Sequence, residues 1–144
     1  MNEAFSNQLT SSGHANRWNY DDQFMIYTGS SRSLSSLELI VHENAVSPAF
    51  NYKVLVISIA NDDNLYTQIF QADLPLNWRN APAYRELQPL GSRWYENNQS
   101  LVLKVPSAVI PKEYNYIINV KHPAFDTSVS LVRTEDYFWD ERLL

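Results

Sequence analysis

The chain has 144 residues, a formal net charge of −5, 44% hydrophobic residues and no cysteine. This is the size of one domain, and the composition excludes a disordered chain, a disulfide scaffold, thiol catalysis and a thiolate metal site. The acidic balance argues against nucleic-acid binding, and no apolar run is long enough to cross a bilayer. With no secretory signal visible and no cysteine, we expect one cytoplasmic domain spanning residues 1–144.

After a polar loop or mobile end over residues 1–12, the first predicted helix lies near residues 30–45. Ser30 or Ser33 is expected to cap its start, and Pro48 prevents any continuation. At about 100° per residue its apolar positions share one face, which predicts a buried stripe. These positions are Leu34, Leu37, Ile40, Val41 and Ala45.

Short apolar or alternating runs predict five or six strands. They lie at residues 24–27, 53–60, 65–70, 100–105, 115–120 and 128–132. Trp78 and Arg79 fall in a loop between two prolines, and Pro89 is expected to interrupt the next segment, leaving one or two helical turns over 92–97. The aromatic tail over 137–139 is expected to pack on the core. The pattern predicts a mixed α/β domain of the α+β class, with short strands and one well-formed helix.

Several catalytic and binding motifs are missing from the sequence. His14, His42 and His122 lack the spacing of metal ligands, and three glycines cannot build a phosphate-binding glycine loop. Ser107 has no flanking glycines, so a nucleophile elbow is absent. We therefore predict no metal site and no permanently bound cofactor.

Two charged side chains have settings that suggest a site. Glu38 falls at the margin of the predicted apolar face, where a carboxylate is partly desolvated, although a boundary glutamate that reaches water fits the same spacing. Arg17 lies beside Trp18 and Asn19 and is suited to hold an anion bidentately, although a surface arginine packed on an aromatic ring is the simpler interpretation.

An ordered series of segments resembles the RES domain family, from about Gly13 to the C-terminus. The Val-Pro-Ser segment and the asparagine followed by His-Pro are its most specific parts. The series comprises Arg17-Trp18-Asn19, Ile26-Tyr27-Thr28, Leu34-Ser35-Ser36-Leu37-Glu38 with Val41-His42, Leu103-Lys104-Val105-Pro106-Ser107-Ala108-Val109, Glu113-Tyr114-Asn115-Tyr116 with Asn119, His122-Pro123, and Phe138-Trp139-Asp140-Glu141-Arg142-Leu143.

The resemblance implies a bacterial toxin of a type II toxin–antitoxin pair, with a fold related to ADP-ribosyltransferases. Such proteins use NAD as a substrate and cleave the nicotinamide–ribose bond. For some members inorganic phosphate is a possible co-substrate, and other members ADP-ribosylate a protein. The implied partner is a helix-turn-helix antitoxin that covers the active site, in a hetero-oligomer or beside a toxin homodimer. By position, the family's site residues correspond to Arg17, Tyr27, Glu38 and Ser107.

The chemistry of NAD cleavage suits these side chains. Bond breaking develops oxocarbenium character at the ribose, which Glu38 can stabilise while it holds the ribose hydroxyls. Arg17 can bind the pyrophosphate or an attacking phosphate, Tyr27 can stack on the nicotinamide or bond the ribose, and Ser107 can orient either group. We expect Arg17, Glu38 and Ser107 to be catalytic and all four to bind substrate.

The sequence departs from the family pattern just before the arginine. Family members commonly have a Gly-Gly pair there, whereas this chain has Ala15-Asn16, and relatives often carry an additional upstream strand. The loop must either follow another backbone path or tolerate side chains. An inactive binding module with the same fold is therefore an alternative to an NAD-consuming enzyme.

Overall fold

Six β-strands in two sheets frame the protein, whose computed structural model describes residues 8–43, 52–138, 140 and 142. One sheet has four strands in the order β1-β5-β4-β3, antiparallel except for the parallel pair β3–β4, and the other pairs β2 with β6 antiparallel. The strands are β1 (Met25–Gly29), β2 (Lys53–Ile59), β3 (Tyr66–Gln68), β4 (Val102–Pro106), β5 (Tyr114–Asn119) and β6 (Val129–Asp136). The predicted strand count and the mixed α+β class are confirmed.

The two faces of the four-stranded sheet carry separate hydrophobic clusters. Successive strand residues point to opposite faces, so neighbours in sequence enter different clusters. One cluster contains Met25, Leu103 and Ile117 together with residues of the helix over 84–96. The other contains Ile26 and Ile118 and packs against β2. The sheet is therefore covered on both sides. The position of a polar residue along a strand decides which face of the sheet its side chain lies on.

Helix α1 (Arg32–Glu43) follows β1 after a short turn. Ser31, rather than Ser30 or Ser33, caps it, because its hydroxyl accepts a hydrogen bond from the Leu34 amide at 3.1 Å. Leu34 is buried and Ile40 is half-buried, but Leu37 and Val41 are 42% and 62% exposed, so the predicted buried stripe is wrong at these two positions. Ala45 and Pro48 lie outside the described residues.

Helix α2 (Tyr84–Glu96), the longest among the described residues, was only half predicted, because Pro89 lies inside it and does not interrupt it. A proline in a helix removes one backbone hydrogen bond and costs about 3 kcal/mol. Burial of an apolar face offsets this cost: Leu87 and Trp94 are almost fully buried. A third helix, α3 (Phe125–Ser128), has four residues.

The segments before β1 and after β6 pack only partly against the rest of the domain. Residues 8–12 form a loop in which Ser11 donates to the Met25 carbonyl at 2.8 Å. In the tail, the Tyr137 hydroxyl bonds Ser36 of α1, but Phe138 is 84% exposed, so the predicted packing is wrong for Phe138, and Trp139 lies outside the described residues. No described helix is long and apolar enough to cross a membrane.

Candidate active site around Arg17 and Glu38

The loop over residues 16–19, here the arginine loop, is held tightly against α2. Asn16 and Asn19 exchange two backbone hydrogen bonds, and Gln88 of α2 donates to the carbonyls of both. Trp18 is buried, and a Cβ placed on Gly91 would lie only 1.9 Å from the Trp18 carbonyl oxygen. Only glycine permits this approach of helix and loop, so α2 fixes where the arginine side chain begins.

The Arg17 side chain is held by backbone carbonyls of other residues and keeps N–H donors for a ligand. Its terminal nitrogens donate to the carbonyls of Trp78 at 2.8 Å and Arg79 at 3.2 Å, and its guanidinium lies 4.9 Å from the centre of the Tyr84 ring. A guanidinium has five N–H groups, so three remain without a partner in the described chain. Burial lowers the pKa of Arg17, and the neighbouring tyrosines and Glu38 carboxylate oppose that shift.

Tyr27 lies beneath the arginine loop rather than free in the site. Its hydroxyl donates to the Asn19 side chain at 2.6 Å and accepts the Trp18 amide at 3.0 Å. Burial is the main cause that raises the pKa of Tyr27, which keeps the phenol neutral. Both hydrogen-bonding functions of the hydroxyl are in use, so the geometry favours the predicted stacking role over a hydrogen bond to ribose.

Glu38 is a half-buried carboxylate that has no cationic contact among the residues whose side chains the structure describes. One oxygen accepts from the Ser107 hydroxyl at 3.0 Å and the other from the Asn115 amide at 2.8 Å, and both donors are neutral. Burial raises the pKa of Glu38, while these two bonds and the charge of Arg17 oppose the rise. Glu38 is therefore partly desolvated, one of the two possibilities that its spacing left open, and it is held by neutral donors within electrostatic range of the arginine.

Ser107 is fully buried beneath this carboxylate. Its hydroxyl donates to Glu38 and accepts the amides of Val109 at 3.1 Å and Ile110 at 3.2 Å. With its donor used and two bonds accepted, the hydroxyl has no free contact for a substrate. The geometry favours a positioning role over the substrate-binding and catalytic roles expected from the sequence.

Asn115 is a site residue that the sequence analysis did not select. It follows Tyr114 on β5, and its amide bridges the Thr28 carbonyl at 3.1 Å and the Glu38 carboxylate at 2.8 Å. The signal was present in the alternation of β5, because Asn115 points to the same face as buried Ile117. An amide on that face needs a polar partner.

We expect Asn115→Ala to lower kcat/KM by about tenfold to a hundredfold, since one charge-assisted bond is worth about 1.5–3 kcal/mol. Losing that bond removes a contribution that lowers the pKa of Glu38. The acid limb of the pH–activity profile should therefore move to higher pH if ionised Glu38 is required. A profile with the wild-type limb would contradict this role, and thermal unfolding checks the fold.

The loop before the arginine tolerates the side chains that replace the usual glycines. Among the described residues, positive φ angles occur only at Gly13, Asp22 and Asn98, so neither Ala15 nor Asn16 is strained. The Asn16 side chain accepts the Arg17 amide at 2.8 Å. Asn16 thus supports the loop by side-chain bonding, and the Ala15 amide donates to the Asp21 carboxylate at 3.0 Å.

A cavity of about 450 Å³ lies elsewhere, between α1, β1 and β2. Tyr27 lines it, but Arg17, Glu38 and Ser107 do not. We place the candidate active site at Glu38 because a partly desolvated carboxylate within electrostatic range of a guanidinium that keeps donors for a ligand indicates reactivity, whereas volume alone does not. No group of metal-ligating side chains occurs among the residues the structure describes.

The family model and the curated relatives that match this chain agree on one family. A model of the RES domain matches residues 1–140. Toxin Res of Yersinia enterocolitica is 35% identical over 130 residues, covering 90% of this chain and 84% of that protein. Toxin Res of Photorhabdus laumondii is 32% identical over 91% of this chain and 83% of its own length. The Prs ADP-ribosylating toxin of a Sphingobium strain is 29% identical over 89% and 80%, respectively. This chain therefore belongs to the RES domain family.

Proposed function

We propose that the protein is a toxin that consumes NAD by cleaving the bond between nicotinamide and its ribose. The observation that carries the proposal is a half-buried Glu38 carboxylate within electrostatic range of the Arg17 guanidinium. Among the described residues Glu38 has no cationic contact, and three N–H groups of Arg17 have no partner. Membership of the RES family supports a toxin, and the name of the ADP-ribosylating relative supports NAD as substrate.

In the proposed chemistry, Glu38 and Arg17 each act on a different part of NAD. The glycosidic bond breaks with its electron pair passing to the nicotinamide nitrogen, so positive charge shifts to the ribose ring. Glu38 stabilises this charge and accepts hydrogen bonds from the ribose hydroxyls. Arg17 holds phosphoryl oxygens bidentately, and Ser107 with Asn115 keeps the carboxylate in place.

The acceptor of the ribose carbon defines the product. With inorganic phosphate, a phosphate oxygen forms the new bond and ADP-ribose 1″-phosphate leaves, whereas water gives ADP-ribose. We favour these small acceptors because the charged groups of the site are suited to a phosphate. Transfer to a protein side chain is the second candidate, and the printed name of the Sphingobium relative is the observation in its favour.

Incubation of the purified protein with NAD, with and without phosphate, tests the proposal when products are identified by mass. Release of nicotinamide with either small-molecule product supports it. Nicotinamide release that requires an added cell extract, with labelled ADP-ribose on a protein, supports transfer instead. No loss of NAD under any condition would favour an inactive binding module.

We also propose that a helix-turn-helix antitoxin covers this site, placing a C-terminal carboxylate or an acidic side chain against Arg17. Such a group would mimic the substrate phosphates by using the same free donors. Expression of the protein alone should arrest growth and lower cellular NAD, and coexpression with a neighbouring antitoxin gene should restore both.

A further inference from the structure

Arg79 brings a second guanidinium to the candidate active site. It lies in the turn between β3 and α2, and its Nε donates to the Ala108 carbonyl at 2.7 Å. Ala108 directly follows Ser107, so this bond draws the Arg79 side chain across to the segment that supports Glu38. The bond spans 29 positions in sequence and orients an otherwise exposed side chain.

The terminal nitrogens of Arg79 have no partner within the described chain. Its recorded hydrogen bond uses Nε, and the ion pairs of the described residues involve other arginines and lysines. The chain has 16 aspartates and glutamates, yet no described carboxylate forms an ion pair with Arg79. Arg79 is instead fixed by a neutral carbonyl that leaves both terminal amino groups available.

Arg17 and Arg79 lie close enough for their charges to interact. The Arg17 side chain donates to the Arg79 carbonyl at 3.2 Å, and the positive charge of Arg79 adds to the lowering of the Arg17 pKa that burial causes. Two like charges held together without a carboxylate between them repel each other. A bound anion would remove that repulsion.

We propose that Arg79 is a second phosphate-binding residue, which forms with Arg17 a two-guanidinium clamp for phosphoryl oxygens. The inference rests on the proposed function and extends it, because it assigns binding of the doubly charged part of the substrate to two side chains. The clamp accepts either the pyrophosphate of the dinucleotide or free inorganic phosphate, which present the same oxygens to a guanidinium.

The test compares Arg79→Gln with Arg85→Gln, a matched control that removes the same charge from the exposed first turn of α2. ADP, inorganic phosphate and adenosine serve as binding probes in titration calorimetry. The clamp predicts that Arg79→Gln weakens binding of ADP or phosphate by about tenfold, equivalent to one charge-assisted contact, and leaves adenosine unaffected. Arg79→Lys should recover part of the loss, since it restores charge without the planar fork.

Kinetics then separate the two sources of phosphoryl oxygen. A higher KM for NAD in Arg79→Gln, with kcat nearly unchanged, identifies the pyrophosphate, whereas a higher KM for phosphate alone identifies the co-substrate. If Arg79→Gln matches Arg85→Gln with every probe, the clamp is wrong. Should the wild-type protein turn over no NAD, the proposed function fails, while the binding titrations still decide the clamp independently.

Discussion

Glu38→Gln is expected to lower kcat/KM for NAD by about a hundredfold to a thousandfold, the usual cost of removing a group that stabilises transition-state charge. The substitution keeps the side-chain size but removes the negative charge that would face the ribose. Substrate binding in the ground state should change little, because Arg17 still holds the phosphates. The loss should therefore appear in kcat more than in KM, measured by nicotinamide release.

The same substitution should leave the fold stable, which separates a catalytic from a structural glutamate. Burial raises the pKa of Glu38, so the folded state favours its protonated form. The stability that this gives is present below the ordinary glutamate pKa and is lost as pH rises through the raised value. At neutral pH, relief from the buried charge opposes the loss of one acceptor, so the free energy of unfolding should stay within about 1 kcal/mol of wild type.

Glu86→Gln is the matched control, since Glu86 is exposed on the first turn of α2 and lies outside the site. It should keep wild-type turnover. Near-normal activity in Glu38→Gln would remove Glu38 from the mechanism, and cooperative unfolding at a much lower temperature would identify a structural role. Below the ordinary glutamate pKa the wild-type protein should gain stability relative to Glu38→Gln, because its carboxyl is then neutral and the variant does not titrate there.

Most of the strands could be predicted from the sequence, because the hydrophobic pattern of a strand lies within a few consecutive residues. Continuous apolar runs such as 53–60 and 100–105 predict strands that the structure confirms with shifts of one or two residues at their ends. The class of the fold and the ordered motif segments followed from the same local information.

Helices were harder because their outcome depends on distant contacts. Pro89 argues locally against a helix, but Gly91 packs directly on the Trp18 carbonyl, a contact between residues far apart in sequence. Leu37 and Val41 fit an apolar stripe, yet the described chain does not cover them. Periodicity identifies which residues share a face but not what packs against it.

The candidate site divides in the same way. Arg17, Tyr27, Glu38 and Ser107 were selected from motif order, and the structure brings them together through direct bonds or electrostatic range. Arg79 carries no local signal, because its importance depends on a bond to Ala108 that only the folded chain creates. The use of the Tyr27 and Ser107 hydroxyls by the protein itself is equally invisible in sequence.

Arg17→Lys is the second substitution with a large expected effect, a fall of about a hundredfold in kcat/KM. The guanidinium both anchors on two carbonyls and keeps N–H groups for a ligand, because its donors point in several fixed directions. A lysine ammonium keeps the charge but has three donors on a flexible chain, so donating to the carbonyls of Trp78 and Arg79 would leave it at most one donor for a phosphate and no bidentate contact. Steady-state kinetics with NAD measure the loss.

Arg17→Ala should lose more activity, about a thousandfold, and it permits a direct test of the group itself. Free guanidinium ion at millimolar concentration should restore part of the turnover, because the Tyr84 ring and the two carbonyls that hold the side chain remain. Arg85→Ala, exposed on α2, is the control and should keep wild-type activity with no response to guanidinium. Equal stimulation of both variants would show that the guanidinium effect is nonspecific. An Arg17→Lys enzyme as active as wild type would show that charge alone suffices and that the anchored fork has no part in binding.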